Sequence, residues 1–401
     1  MFAPSLEWIT PALLSILLIP LVFPTRAAGA APATSPATAP AKPVLIYVGT
    51  YTSPEEKGIE LLRLDPISGT LTPLGLAAEI PSPSFLTLSP DRKYLFAVSE
   101  APHGPARHGL AAGFSIEPGT GKLTPLNTTD STGTDPCHLT LDSAGRHLFV
   151  ANYSSGSIAV LPVDVTGHLG APTATIQHPT PAHPPTARQK GPHAHGVSFD
   201  PTQRLLLVPD LGLDQVLLYD YHAPQGTLTA ATPPAITLPP GTGPRHVAFD
   251  PTGRFLYVIG ELASTITSFA YDSALPAHFR TIQSISLLPS GTTQSNSAAE
   301  IVVHPSGRFL FASNRGHDSI AVFTRDATTG RLTAAGHFPT HGKTPRHFMI
   351  DPTGTLLLVA NQDSNNITVF RIDPVSGVLT YTGVEAKIHA PVCLLPWAPF
   401  E

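Results

Sequence analysis

From residue 45 onward the chain alternates short apolar runs with tight polar turns, and the runs repeat. A run, a turn and a second run recur over residues 85–99, 138–152, 197–210, 246–260, 301–314 and 348–361. Successive side chains of a strand point to opposite faces, so an unbroken run such as Leu148-Phe149-Val150-Ala151 predicts a strand covered on both faces. The turns between runs read Asp-Pro-Thr-Gly at 250–253 and 351–354, or variants, and supply the fixed and positive φ values of a tight reversal. Each unit continues with a third strand, as at 157–161, 319–323 and 366–370. A Gly-x-Leu-Thr hairpin follows at Gly69, Gly121, Gly226, Gly330 and Gly377.

The second strands end at Gly49, Ser99, Asn152, Asp210, Gly260, Asn314 and Asn361, which marks seven units. Their spacing, roughly fifty residues, holds four short strands and is that of a propeller blade, each small sheet burying its faces on its neighbours. Helical periodicity is absent. The pattern therefore predicts an all-β chain: a seven-bladed β-propeller of four-stranded antiparallel blades over residues 44–398. The first unit begins at its second strand, 45–49, and the chain ends with an inner strand, 391–396. Pairing these two would remove both open edges and close the ring.

The first thirty residues differ in kind. An apolar run over 9–23 followed by Ala28-Gly29-Ala30 predicts a signal peptide over 1–30, and hence a secreted or periplasmic protein. Glu7 and the lack of Lys or Arg before the run leave an uncleaved membrane anchor as the alternative, although Pro11 and Pro20 break the run. Residues 31–43 form an Ala/Pro-rich linker that cannot build a core. A net charge of -5 with scattered Lys and Arg argues against a nucleic-acid partner, and a monomer is expected. Cys137 and Cys393 fall on non-neighbouring units, out of bridging reach.

The strand order makes the two end faces chemically different. The Asp-Pro-Thr-Gly and Gly-x-Leu-Thr hairpins lie on one, where Arg254 and Arg308 read as surface charges. The starts of the inner strands and the turns after the second strands open on the other. That face collects Cys137-His138, Gly191-Pro192-His193-Ala194-His195, Arg245-His246, Glu300 and Arg346-His347, together with Glu100, Glu261 and Arg315. A histidine at a strand mouth can simply bond a carbonyl of the next blade; the clustering is what favours chemistry. Guanidinium groups suit a small anion or a developing oxyanion, and Glu261 or His195 could take a proton from water. No Gly-x-Ser-x-Gly elbow is present. His103, His108, His178 and His183 read as solvated loop residues. The long loop 173–190, with Arg188 and Lys190, reads as a lid over this rim or as a plain insertion.

Together, Tyr47-Val48-Gly49-Thr50-Tyr51-Thr52, Ala151-Asn152-Tyr153, Gly191-Pro192-His193-Ala194-His195, Gly243-Pro244-Arg245-His246, Ser313-Asn314-Arg315 and Pro345-Arg346-His347 resemble the lactonase family of seven-bladed propellers. That family includes propeller-type 6-phosphogluconolactonase and fungal carboxy-cis,cis-muconate cyclase. The resemblance implies a lactonase acting on a small lactone substrate, with His195, Arg245, Glu261 and Arg315 as the catalytic set, and the rest of the clustered rim supplies His138, His193, His246, Glu300, Arg346 and His347 as substrate-binding candidates. It implies no metal and no other cofactor. Export would separate the enzyme from phosphorylated cytoplasmic metabolites, which points to an unphosphorylated or carboxylated lactone. The competing readings are a non-catalytic propeller binding an anion or a partner protein, a muconate-lactone-type cycloisomerase, and a metal- or quinone-dependent oxidoreductase.

Overall fold

The apolar runs of the second strands are the most deeply buried elements of the molecule: His147–Asn152, Leu205–Asp210, Phe255–Gly260 and Leu356–Asn361 are buried at every position. In the computed structural model, which describes residues 42–53, 57–275 and 278–397, each such strand lies between an inner strand and a third strand of one sheet. Seven four-stranded antiparallel sheets result. The expected signal peptide and all but the last two residues of the linker lie outside the described residues, as does Ala398. No helix among the described residues is long and apolar enough to cross a membrane.

Blade 1 combines both ends of the propeller: Pro391–Trp397 is its inner strand and pairs with Val44–Thr50, Leu45 opposite Trp397 and Val48 opposite Leu394. Blades 2 to 7 follow in order over residues 86–130, 136–177, 198–237, 244–286, 297–339 and 345–387. The predicted closure is thus observed. Each junction between neighbouring blades holds its own hydrophobic cluster. Ile46 and Leu358 meet between blades 1 and 7, Leu86 and Leu61 between blades 1 and 2, and Phe311 and Phe348 between blades 6 and 7. The core is therefore a ring of interfaces rather than one centre, as stacked repeats require.

Local chemistry explains the turns. Asp250 Oδ1 accepts the backbone N–H groups of Arg254 and Phe255, both at 2.8 Å, and Asp200 and Asp351 do the same in their own blades. Arg254 and Arg308 are exposed on this face, as expected. Asparagines close the other end: buried Asn152 and Asn314 donate from Nδ2 to the carbonyls of Ser131 and Leu287 at 2.9 and 3.0 Å, stitching each second strand to the segment that leads into its blade. Both cysteines are free and buried.

Candidate active site

The inner strands are regular only in part, and the irregularity is what aims the site. Pairing between inner and second strand slips between Pro136 and His138, Pro244 and Val247, Ala298 and Ile301, and Pro345 and His347. The unpaired residues at these bulges are Cys137, Arg245-His246, Ala299-Glu300 and Arg346. A bulge inserts a residue and re-aims its side chain. In blade 4 the inner strand shrinks to Ser198–Phe199, because the preceding segment folds around Asp210. Asp210 Oδ1 accepts the His193 N–H at 2.8 Å, and the His195 N–H donates to the Pro209 carbonyl at 2.9 Å.

Of these side chains, Cys137, His195 and Arg346 line a cavity of about 330 Å³ at the mouth of the channel, to which all seven blades contribute. Glu261, 2% exposed, is its electrostatic anchor. Three guanidinium groups surround the carboxylate: Arg188 Nη1 at 2.7 Å from Oε1, Arg315 Nη2 at 3.0 Å and Arg245 Nε at 3.3 Å from Oε2. The Ser297 hydroxyl donates to Oε1 at 3.1 Å. Burial alone would raise the Glu261 carboxyl; Arg315, Arg245 and Arg188 outweigh it and hold it at about 2. The arginines are fixed in turn, Arg245 Nη1 donating to the Ala299 carbonyl and Arg315 Nη2 to the Ala298 carbonyl, both at 2.8 Å. Arg188 Nη2 donates to the Tyr153 hydroxyl at 2.6 Å.

His195 sits beside this cluster, its Nε2 3.7 Å from Glu261 Oε2 and its Nδ1 3.8 Å from Cys137 Sγ, with Tyr153 edge-on at 5.2 Å. Burial, reinforced by Arg245 and His246, pushes the imidazole well below its ordinary value of 6.5, so it stays neutral. Around the rest of the rim stand Tyr51, Glu100, Asp135, Cys137 and Arg346. The Tyr51 hydroxyl donates to Glu100 Oε1 at 3.2 Å, and the Ser84 hydroxyl donates to the same oxygen. Arg346 lies over the Tyr51 ring, 5.3 Å from its centroid.

A second layer adjoins this mouth. Glu300 Oε2 lies 3.0 Å from His246 Nδ1 and 3.6 Å from His347 Nε2. Backbone donors set two tautomers: the Val197 N–H donates to His138 Nδ1 at 3.3 Å and the Leu394 N–H to His347 Nδ1 at 3.2 Å, leaving the ring proton of each on Nε2. Phe85 stacks on His138 at 4.1 Å. Burial lowers all three imidazoles, His347 to about 4. They are neutral near pH 7.

The sequence-predicted residues thus separate by depth. His195, Glu261, Arg315 and Arg346 line the cavity at the mouth; His246, Glu300 and His347 line a recess of about 10 Å³, which Arg245 and Arg346 also border. His138 packs within the second layer. His193 stacks on Tyr153 at 4.5 Å and lies 3.0 Å from its carbonyl through Nδ1. One expectation is corrected: His178 is not solvated but buried, its Nδ1 2.6 Å from Asp210 Oδ2. That pair fastens the loop 173–190 to the strand beneath, and Gln189 Nε2 fastens its far end to the Leu211 carbonyl at 2.9 Å. Between them the loop delivers Arg188 to Glu261. His103 and His183 are exposed, and the partly exposed His108 pairs with Asp130 at 3.0 Å. Tyr51 and Tyr153 joined the site without having been singled out from the motifs that contain them, and Ser297 had no signal beyond its place two residues before Ala299-Glu300. A groove of about 360 Å³ on blade 2, lined by Ile80, Leu110 and Phe114 among others, has only the exposed Glu79 and His103 as titratable groups, whereas the cavity at the channel mouth gathers several buried ones.

The family described as lactonase, 7-bladed beta-propeller, matches residues 45–396. A 6-phosphogluconolactonase of Bacillus subtilis is 34% identical over 303 residues, 76% of this chain and 84% of that protein. Another from Formosa agariphila is 34% identical over 307 residues, 76% of this chain and 85% of its own length. The structure of a periplasmic gluconolactonase from Pseudomonas aeruginosa superposes with a TM-score of 0.84 at 34% identity, covering 89% of this chain and 100% of that one. The chain belongs to the seven-bladed β-propeller lactonase family.

Proposed function

We propose that this lactonase opens a small, hydroxylated, unphosphorylated sugar-acid lactone after export, using water as nucleophile. The observation that carries the reading is the pairing of a neutral imidazole, His195, with guanidinium groups already fixed on Glu261. A base must keep its lone pair free at working pH, and His195 does so. Glu261, held at about 2, is too weak a base for this step and serves instead to position the arginines. In this scheme a water beside His195 loses its proton to the ring as its oxygen attacks the lactone carbonyl. The carbonyl oxygen gains negative charge facing Arg315 and Arg346, which line the cavity and are held in the folded state by Glu261 and by the Tyr51 ring. Collapse of the tetrahedral species breaks the ring ester bond, and the new carboxylate is held by the same guanidinium groups.

Two observations favour an unphosphorylated substrate. Asp135 lines the cavity and would repel a dianionic phosphate placed against it. The Pseudomonas aeruginosa relative is described as a periplasmic gluconolactonase, which agrees with the signal peptide expected here. The test is base uptake in a pH-stat with δ-gluconolactone, its 6-phosphate and simple alkyl lactones. Opening of the unphosphorylated sugar lactone, reduced about 100-fold or more in Arg315→Ala and His195→Gln, is the expected outcome. No ring opening by the wild-type protein, or variants equal to it, would leave a binding propeller as the better account.

A further inference from the structure

Blades 2 and 5 stand three apart in a ring of seven, the greatest separation such a ring allows, and each sends one glutamate into the same cavity. Glu261 on blade 5 is committed to three arginines. Glu100 on blade 2 is differently placed. It has no cation within ion-pair distance among the described residues, and its hydrogen bonds fall on one oxygen only: Oε1 accepts from the hydroxyls of Ser84 and Tyr51. Oε2 accepts none among the described residues. A largely enclosed carboxyl with no counter-cation in ion-pair reach favours its neutral form, and the oxygen that no donor occupies is the one free to hold the proton beside the cavity. We propose that Glu100 is the general acid of lactone opening, delivering the Oε2 proton to the ring oxygen as its bond to the acyl carbon breaks.

This inference rests on the hydrolytic reading of the same site. The balance is complete: water gives one proton to His195 and its hydroxyl to the acyl carbon, and the departing alkoxide takes the proton of Glu100 and becomes a hydroxyl. The new carboxylic acid ionises, so that His195 and Glu100 are reset with one proton released to solvent. A sugar alkoxide is a poor leaving group, which is why the step needs an acid at all. The surroundings suit a protonated carboxyl. Burial pushes Glu100 up and outweighs the opposing pulls of Arg346 and of the Ser84 and Tyr51 hydroxyls, and Asp135 adds to the rise. The two glutamates then divide their roles by environment, one held ionised and one held neutral.

The test uses leaving groups of different basicity. Glu100→Gln keeps an acceptor for Ser84 and Tyr51 and the shape of the side chain, but has no transferable proton. On δ-gluconolactone, whose leaving group is an alkoxide, kcat should fall about 100-fold or more, whereas on dihydrocoumarin, whose phenolate leaves unaided, it should fall less than about threefold. The alkaline limb of kcat for δ-gluconolactone should also be absent from the variant. Equal losses on both lactones would assign Glu100 a structural role, and undiminished activity on both would remove it from the reaction; either overturns the proposal. Wild-type protein that opens neither lactone would instead sink the hydrolytic reading itself.

Discussion

At the scale of single residues the site is governed by which charges are compensated. Glu261 is the only carboxylate within reach of Arg188, Arg245 and Arg315 among the described residues, and neutralising it leaves two buried guanidinium groups without a counter-charge. Glu261→Gln should therefore lower stability by about 3–5 kcal/mol, read by urea denaturation, and abolish most activity with it. Acid sensitivity has the same origin. His347 falls from 6.5 to about 4 on folding, so the unfolded chain binds its proton first and stability drops as pH falls through that window, by about 1.4 kcal/mol per pH unit. His138, His195 and His246 shift in the same direction, and Glu261, lowered from 4.5 to about 2, adds its own loss below pH 4.5. Thermal denaturation between pH 7 and 4 should show a steep fall in Tm; a flat profile would mean these groups are not held as described. Most of these residues were legible beforehand because Pro-x-His recurs at strand starts. Their division into a mouth and a deeper layer was not, since depth along a channel leaves no mark on spacing.

At the scale of elements the decisive features are four bulges and one loop. A bulge cannot be read from a repeat, because one extra residue in a short inner strand is lost in the variable spacing between units. Yet the bulges at Cys137, Arg245, Glu300 and Arg346 place the side chains that face the channel. The loop 173–190 was visible as an excess of length, but its attachment was not: His178 looks like its solvated neighbours until Asp210, thirty-two residues on, is seen beneath it. His178→Ala removes one partner of a fully buried pair and should destabilise by about 3–5 kcal/mol. Arg188→Ala, on a side chain half exposed, should leave Tm within about 2 °C of wild type while raising KM for the lactone severalfold. Those two variants separate fastening the loop from using it, and differential scanning calorimetry beside initial-rate kinetics would check both.

At the scale of the whole molecule nearly everything was written in the period of the sequence. Seven matching units, and terminal strands that lacked a partner each, left one economical arrangement, and the observed sheets follow it blade for blade. What holds the ring is repetition of modest interfaces rather than any single one. Removing residues 391–401 deletes the inner strand of blade 1 and exposes the edge of Val44–Thr50. Such a chain should aggregate or remain protease-sensitive at 25 °C, whereas a circular permutant cut in an exposed hairpin of another blade, with its old ends joined, should fold and keep activity. Limited proteolysis of both would check this.

The shared sheet of blade 1 also sets a schedule for biogenesis. Val44–Thr50 leaves the ribosome well ahead of Pro391–Trp397 and must wait, with one side unsatisfied, for that partner. Six blades can assemble progressively during that interval, but the circle cannot lock until synthesis has passed Trp397.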